Sequence, residues 1–397
     1  MKGWKEIELG EIGKDVRRSY KPNKEHDLPY VGYEHIEQQT LRLSDYGSSR
    51  DIQSDKKYFR KGEIIFGTLR PYFRKVIIAN FDGVCSTDLA IVNANDGYDQ
   101  KFLFYILASQ PLIDFADVSS NGTKMPRAKW SVLAKTKWNV PPLPTQHRIA
   151  SILSAYDDLI EVNNQRIKLL EQTARELYKE WFVRMRFPGY KKTKFKKGIP
   201  EGWEVKPILS LCSRITDGTH DTPKPVAEGI HLITGTHLLE GKIDFDSAYK
   251  ISLSDHEKIK RRSGLEKGDI LFSNIGTIGL TAIVTEDFEY SVKNVIIFKP
   301  LKNEFSLFLN YMIKSVGVRE QMLLDALGTS QQFISLGYIR KVKTLIPNSE
   351  LIEKYSEIVK PMFQQQTILN QQNTQLRQIR DRLLPRLVSG KLQVKGV

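Results

Sequence analysis

Hydrophobic and polar positions form two kinds of pattern along the chain, one typical of strands and one typical of helices, and each kind occurs twice. Short runs rich in β-branched and aromatic residues, such as Glu63–Phe66, Val76–Ala79 and Leu89–Val92, are separated by Gly, Asn and Asp. This pattern predicts short strands joined by turns. A helical spacing of apolar residues follows at residues 101–109 and, in the second occurrence, at residues 306–315.

Each β-rich region ends at prolines, and the pattern then predicts one long helix. The first helix is predicted over Thr145–Val183, where apolar steps of four and three residues form a heptad seam. Its apolar seam positions are Ile149, Leu153, Tyr156, Ile160, Ile167, Leu170, Ala174, Leu177 and Trp181. Those of the second helix are Tyr355, Val359, Met362, Leu369, Leu376, Leu383 and Leu387. Asn163 lies in the first seam, and Gln366, Asn373 and Arg380 interrupt the second. So long a stripe favours packing of the helices on each other; packing of each helix on its own domain is the alternative.

The two halves of the chain are copies of one unit. A shift of 206 residues aligns Lys61–Phe66 with Lys267–Phe272, and the same shift aligns later Gly-Thr, Lys and Pro positions. His35 matches His237 at a slightly smaller shift. The sequence therefore predicts an α+β protein of two pseudo-repeats, in which each β-rich domain precedes one long helix of an antiparallel coiled coil. The predicted parts are a first domain (1–143), a first helix (144–185), a basic linker (186–200), a second domain (201–347), and a second helix with its tail (348–392).

The charge balance points to a polyanionic partner. The chain has a formal net charge of +14 and a pI near 9.4. Lys and Arg side chains placed against phosphates release condensed counterions, so nucleic acid is favoured over an inert basic surface or an acidic protein. The only cysteines are Cys85 and Cys212, and no long apolar run predicts a signal peptide or a membrane span. We expect a cytoplasmic protein without a membrane partner.

Few residues suggest catalysis. The chain has neither a phosphate-binding glycine-rich loop nor the Asn-Pro-Pro-aromatic motif of many amino-methylating DNA enzymes. Glu204-Val205-Lys206 could assist a metal-dependent endonuclease, although a strand with alternating side chains explains it better. The expectation is a non-catalytic protein with no cofactor and no metal. A metal-dependent nuclease and a coiled-coil scaffold without sequence preference remain alternatives.

Polar loops in the β-rich domains supply candidate DNA contacts. The repeated strand at Ile64–Phe66 leads into Arg70-Pro71-Tyr72-Phe73-Arg74, whereas its copy leads into Asn274-Ile275-Gly276-Thr277. Arg can donate two hydrogen bonds to guanine and Asn can pair with adenine, so different loops on one scaffold favour two different readouts. An ordinary turn is the alternative for each loop. The candidates are Thr68, Arg70, Tyr72, Arg74, Asn121, Thr123, Lys124, Thr216, Thr219, His220, Asn274, Thr277, Thr329, Ser330 and Gln331.

Three segments resemble the specificity subunits of Type I restriction–modification systems: Pro142–Ala150, Arg380–Leu392 and Thr216–His220. The resemblance implies two target-recognition domains that bind double-stranded DNA and read a bipartite, asymmetric target. It also implies docking of methyltransferase (modification) subunits, which carry S-adenosylmethionine, and of a restriction endonuclease–translocase subunit. The first copy has Gly13–Val16 where the second has the Asp-Gly-Thr-His segment, so the role of that loop is not transferred to it.

Overall fold

The computed structural model describes residues 3–120, 125–324 and 332–394, which belong to two compact units. Unit 1 contains the chain up to residue 165 together with residues from 369 onward, and unit 2 contains residues 166–368. Each unit therefore holds one β-rich domain and one part of each long helix.

The strands of unit 1 are β1 (Lys5–Glu8), β2 (Gly13–Asp15), β3 (Ser19–Tyr20), β4 (Pro29–Val31), β5 (Gly47–Ser48), β6 (Lys56–Phe59), β7 (Ile64–Gly67), β8 (Val76–Ile78), β9 (Gly83–Cys85), β10 (Leu89–Ala94) and β11 (Lys137–Val140). Its shorter helices are α1 (Leu9–Ile12), α2 (Gln100–Leu107), α3 (Gln110–Val118) and α4 (Trp130–Leu133). The main sheets have the orders β2-β10-β7-β8 and β3-β6-β9-β4-β5, and β1 pairs with β11. The strands and the short helix predicted around residues 63–109 are thus confirmed.

The first long helix is α5 (Leu143–Tyr178), which passes from unit 1 into unit 2 and continues as a π-helical turn at Lys179–Val183. The strands of unit 2 are β12 (Phe195–Lys196), β13 (Ile199–Pro200), β14 (Glu204–Pro207), β15 (Cys212–Asp217), β16 (Ile230–Thr234), β17 (Leu238–Leu239), β18 (Lys242–Ile243), β19 (Lys250–Ile251), β20 (Ile270–Phe272), β21 (Thr281–Ile283), β22 (Ser291–Lys293), β23 (Ile296–Pro300) and β24 (Lys343–Ile346). Its helices are α6 (Leu253–Ser263), α7 (Phe305–Lys314), α8 (Val316–Leu323), α9 (Leu336–Ile339) and the first part of α10 (Ser349–Val388).

The duplication is visible in the sheets. Unit 2 has a four-stranded sheet with the order β15-β23-β20-β21, which repeats the order β2-β10-β7-β8 of unit 1. In both units the first strand of the domain pairs antiparallel with its last strand, as β1 does with β11 and β14 with β24. The β-rich domain of each unit is therefore closed by its own first and last strands.

The repeated strand β7 is apolar throughout because both of its faces are covered. Ile64 and Phe66 belong to the core that contains α2, whereas Ile65 packs in a second cluster on the opposite face. Successive side chains of a strand point to opposite faces, so a strand between two layers reads as a continuous hydrophobic run. The equivalent strand β20 divides Ile270 and Leu271 between two clusters in the same way.

The two long helices pack on each other inside each unit, as the seam predicts. In unit 1, Asn163 contacts Asn373 and Asp157 contacts Arg380, so residue numbers rise along one helix as they fall along the other. This order establishes antiparallel packing in unit 1. In unit 2 the hydroxyl of Tyr355 donates to the carbonyl of Ala174 at 3.0 Å.

The start of α5 is fixed by its prolines and by one buried side chain. Pro144 is tolerated in the first turn, where amide groups have no helical partner. Gln146 is only 2% exposed. Its Nε2 donates to the carbonyl of Pro141 at 2.9 Å, and its Oε1 accepts the amide of Asp99 at 2.9 Å. Asp99 in turn accepts the amide of Phe102 and caps α2, so the entry to α5 is tied to the domain before it.

The basic linker differs in part from the predicted exposed connector. Its lysines are mostly exposed, but Phe187 is buried and packs on Trp203, with ring centroids 5.2 Å apart. The strands β12 and β13 form a short antiparallel pair within it. The apolar ring explains the difference, because burying it stabilises the connector against unit 2. Across the described ranges no helix is long and apolar enough to cross a membrane.

Candidate nucleic-acid interface

In unit 1 the loop that follows β7 lies beside residues 126–128. The amide of Arg70 donates to the carbonyl of Pro126 at 2.8 Å, and the amide of Ala128 donates to the carbonyl of Thr68 at 2.9 Å. The loop that follows β7 is therefore joined to the segment that follows residues 121–124. This contact fixes residues 126–128 against one predicted recognition loop of the first domain.

Unit 2 repeats these hydrogen bonds at positions 206 residues later. The amide of Gly276 donates to the carbonyl of Gln332 at 3.0 Å, and the amide of Ile334 donates to the carbonyl of Asn274 at 2.9 Å. Both donors and both acceptors are equivalent to those of unit 1. The backbone frame that holds the loops is thus the same in the two domains, while the side chains on it differ.

Six of the predicted contact residues lie outside the described ranges. They are Asn121, Thr123, Lys124, Thr329, Ser330 and Gln331. Their roles remain predictions.

The loop after β7 presents Arg70 and Tyr72 at the surface. Arg70 is partly exposed and adopts a left-handed backbone conformation with φ of 46°. Tyr72 is 42% exposed. Gln39 supports this loop, because its Nε2 donates to the carbonyl of Tyr72 at 2.7 Å. A side chain on a supported loop keeps its direction, which base recognition requires.

Tyr33 and Lys75 form the base of the same loop. The hydroxyl of Tyr33 donates to the carbonyl of Leu69 at 2.6 Å, and Lys75 Nζ lies 4.3 Å from the centroid of the Tyr33 ring. Burial raises the pKa of Tyr33 and lowers the pKa of Lys75. Lys75 is only 6% exposed, so it stabilises the loop from beneath instead of offering a surface cation.

Thr68 and Arg127 meet at Asp88. Thr68 Oγ1 donates to the carbonyl of Asp88 at 2.7 Å, so this hydroxyl is engaged within the domain. Arg127 Nε donates to the Asp88 carboxylate at 3.0 Å, and its side chain is 48% exposed. Sequence reasoning missed Arg127, although a basic residue next to a predicted recognition loop could have marked it. It adds a second exposed guanidinium beside Arg70.

Arg74, which the sequence predicts to contact DNA, is buried in the structure. Its side chain is 7% exposed. Arg74 Nε donates to the carbonyl of Ala108 at 2.7 Å, and its NH2 group donates to Asp381 at 2.9 Å. These bonds direct the guanidinium into unit 1, so Arg74 has a structural role there.

In the second domain the loop after β20 divides into an anchored part and an exposed part. Asn274 Nδ2 donates to the carbonyl of Ile334 at 3.0 Å, whereas its Oδ1 is buried without a partner among the described residues. Thr277 is exposed, and its carbonyl accepts the hydroxyl of Ser273 at 2.6 Å. Of the two predicted contacts, Thr277 is the one at the surface.

The Thr216–His220 segment is a tightly built turn. Thr216, in β15, and Thr219 are both predicted to contact DNA, and in the structure they are only 3% and 5% exposed. Gly218 is required by close packing, since a Cβ at that position would lie 2.2 Å from the carbonyl oxygen of Val292. Only His220 of the predicted set is exposed here.

His220 is the centre of a polar cluster on the second domain. Its Nε2 lies 2.8 Å from the Asp217 carboxylate and its Nδ1 lies 2.8 Å from Asn294 Oδ1. Arg262, on α6, also binds Asp217 at 2.9 Å. The cluster joins an exposed imidazole to an exposed guanidinium at one edge of the domain. Arg262 and Asn294 were missed because α6 and the residue that follows β22 are far from this segment in sequence.

In the described residues, Glu204 and Lys206 are not arranged with further side chains that could bind a metal for a nuclease. Glu204 and Lys206 lie on the same strand, β14, and their side chains form an exposed ion pair at 2.6 Å. Within the described ranges the group whose side chains could jointly hold a metal is instead His256, Glu257 and Glu289.

That second group already has internal partners. The Nε2 of His256 lies 3.0 Å from Glu289, and its Nδ1 lies 2.9 Å from the hydroxyl of Ser291. Lys260 also contacts the Glu289 carboxylate. An ammonium group at this carboxylate competes with a cation, so we assign no metal here.

Comparison with known proteins shows which proteins this chain is similar to. The model of the Type I restriction modification DNA specificity domain matches residues 1–172. The MjaIX specificity subunit of Methanocaldococcus jannaschii is 25% identical over 352 residues, which cover 85% of this chain and 79% of that protein. The HindI specificity subunit of Haemophilus influenzae is 21% identical over 99% of this chain and 100% of its own length.

A solved structure supports the fold. The crystal structure of the Type I restriction–modification S subunit from M. genitalium matches 97% of this chain and 96% of its own, with a TM-score of 0.54 and 18% sequence identity. This likeness concerns the fold alone, and it agrees with the repeated domains and long helices described above. The family model thus matches the first 172 residues, and the relatives that match most of the chain's length are specificity subunits of Type I restriction–modification systems.

Proposed function

We propose that this chain is the sequence-specific DNA-binding subunit of a Type I restriction–modification complex. It binds double-stranded DNA, reads a bipartite and asymmetric target with its two domains, and catalyses no reaction itself. The surface residues that we assign to DNA contact are Arg70, Tyr72, Arg127, His220, Arg262 and Thr277.

One observation carries the proposal. The same pair of backbone hydrogen bonds holds the recognition loops in both units, yet Arg70 in one loop corresponds to Gly276 in the other. Two domains that recognise different DNA sequences need the same backbone scaffold with different side chains on it. Contacts to base edges determine which sequence is recognised, whereas contacts to phosphates only position the protein on the DNA. The net charge of +14 supplies the sequence-independent part of the affinity.

The partners follow from the family. We infer that methyltransferase subunits carrying S-adenosylmethionine, and a restriction endonuclease–translocase subunit, assemble on this chain. The chain itself is proposed to need no cofactor and no metal. The names of its relatives as specificity subunits support this division of labour.

The test is a methylation map of cells that contain this chain and its methyltransferase subunit. Arg70→Ala should relax the bases specified by the first domain and leave those of the second unchanged. A bidentate contact from Arg to guanine contributes about 1–3 kcal/mol of discrimination, roughly 5- to 150-fold. Thr277→Val is the matched variant, and its effect should be confined to the other half of the target.

Other outcomes would point elsewhere. A uniform loss of methylation over both halves would indicate that Arg70 contacts phosphates or maintains the fold. DNA binding without sequence preference would favour a scaffold, and metal-dependent cleavage by the isolated chain would favour a nuclease.

A further inference from the structure

Two arginines of the loop after β7 occupy backbone positions that favour glycine. Arg70 and Arg74 have φ of 46° and 49°. The loop of unit 2 is one residue shorter, because the carbonyl of Leu280 accepts the amide of Ser273 as the carbonyl of Lys75 accepts that of Gly67. The equivalent positions in unit 2 are therefore Gly276 and Gly279, with φ of 72° and 97°. A residue other than glycine in the left-handed region costs about 1–3 kcal/mol, and such strain persists where the surroundings hold it. The first domain therefore maintains two strained positions that the second domain relieves with glycine.

Arg74 is held by two elements of unit 1. Its Nε binds the carbonyl of Ala108, which ends α2, and its NH2 group binds Asp381 of α10. Asp381 lies 307 residues further along the chain. The end of the recognition loop is therefore fixed by a carboxylate from the C-terminal helix.

Asp381 is itself fixed by a charge network whose arginines are buried and whose carboxylates are partly exposed. Arg380, which is fully buried, forms ion pairs with both Asp381 and Asp157. The hydroxyl of Tyr105 donates to Asp157 at 2.6 Å. With Arg74 the network holds two cations and two carboxylates, so its formal charge is balanced. Buried ion pairs with this many partners keep a single geometry, because losing one partner leaves an uncompensated charge.

Among the described residues of unit 2 there is no equivalent of this connection. Gly279 stands where Arg74 would be and has no side chain to anchor. The positions equivalent to Arg380 and Asp381 are Ala174 and Arg175. The helix carboxylate of unit 2 is Glu171, which binds the hydroxyl of Tyr311.

We propose that Asp381 and Arg74 are positioning residues for base selection by the first domain. Through Arg74, the C-terminal helix holds the loop in the strained conformation that directs Arg70 and Tyr72 outward. This inference rests on the proposed function. Loss of the Asp381 charge frees Arg74 and lets the loop relax, so the first domain loses discrimination while the second retains its own.

The test compares Asp381→Asn, Arg74→Lys and the matched control Glu171→Gln in the full chain with its methyltransferase subunit. Asp381→Asn keeps the side-chain shape and removes the charge. Arg74→Lys keeps the charge but cannot bind Ala108 and Asp381 together. Both should reduce discrimination at the bases of the first half-site by about tenfold, as expected when a contacting group is misplaced. The double variant should be no worse than either single one, since both changes break the same interaction.

The controls separate positioning from stability and from the proposed function itself. Glu171→Gln removes a helix carboxylate that binds its own domain but does not reach a recognition loop, so its methylation motif should be unchanged. Equal weakening of both half-sites by Asp381→Asn would overturn the positioning role, as would an unchanged motif in a complex where Arg70→Ala relaxes the first half. If Asp381→Asn fails to fold, Arg74→Lys decides by the same criteria. Unchanged motifs for both Asp381→Asn and Arg70→Ala would overturn the positioning role and the assignment of the loop as a reader together.

Discussion

A pair of buried amides joins the two long helices of unit 1. Asn163 and Asn373 are each 2% exposed, and Asn163 Nδ2 donates to Asn373 Oδ1 at 3.0 Å. Asn373 Nδ2 donates in turn to Asn164 Oδ1 at 3.0 Å. We expect replacement of either seam amide by leucine to be worse than replacement of both.

The magnitude follows from the hydrogen bonds. Asn163→Leu leaves the buried Oδ1 of Asn373 without its donor, which costs about 1–3 kcal/mol. Asn373→Leu leaves Nδ2 of Asn163 unsatisfied at a similar cost, whereas Asn164 is partly exposed and can bind water. The double replacement leaves neither seam amide unpaired and buries two apolar side chains of similar shape. The double variant should therefore be more stable than the sum of the two single effects predicts, by at least about 2 kcal/mol.

Urea unfolding of the full chain, followed by hydrogen exchange in α5 and α10, measures this coupling. Hydrogen exchange is needed because two compact units can unfold separately, and a single transition would mix them. A matched control replaces exposed Leu159, on the same helix, by Ala together with Asn373→Leu; these effects should add. If the changes in the free energy of unfolding caused by Asn163→Leu and Asn373→Leu simply add in the double variant, the two amides are not energetically coupled and the reasoning is refuted.

Two further results are expected. Gln366 is buried, and its Nε2 has no hydrogen-bond partner among the described residues, so Gln366→Leu should raise the free energy of unfolding by about 1 kcal/mol in urea titrations; a loss of stability would mean that this amide is satisfied in solution. Burial raises the pKa of Glu171, but the nearby charge of Lys314 and the hydrogen bonds from Tyr311 and Lys314 outweigh it and bring this pKa below its usual value. Its stabilising contribution is therefore present above about pH 4.3, the value for an unfolded chain, and is lost as pH falls through the folded pKa. The stability difference between the wild type and Glu171→Gln should shrink on acidification, and a difference that grows would contradict this sign.

The helical part of the fold could be predicted because its signal is local. A heptad seam depends on residues three and four apart, and Ile149 and Tyr355, both predicted on the seam, are fully buried. The polar seam positions were also identified, and Asn163 does meet Asn373. The repeat supplied the domain order, since two copies of one pattern constrain each other.

Whether an individual loop side chain is buried or exposed could not be predicted in the same way. Arg74 resembles a reading residue because it is basic and follows Arg70 in the same loop. Its burial depends on Asp381, which is remote in sequence, and no local pattern indicates such a pair. Thr216 shows the same limit, since a hydroxyl that reads a base and a hydroxyl inside a strand are alike in sequence.

The discontinuity of unit 1 has a consequence for synthesis on the ribosome. Unit 2 is one continuous stretch, whereas the core of unit 1 packs Leu384 and Leu387 of α10 against Ile149 and Leu153 of α5. About 200 residues intervene, which take roughly 10–40 s to translate at 5–20 residues per second. During that interval the apolar residues at the start of α5 lack the α10 residues on which they pack in the folded protein. Unit 2 can already complete its own core. The first domain in sequence is therefore the last to be finished, and a nascent chain interrupted near residue 368, within α10, would carry a complete second unit and a first unit without its last helical segment.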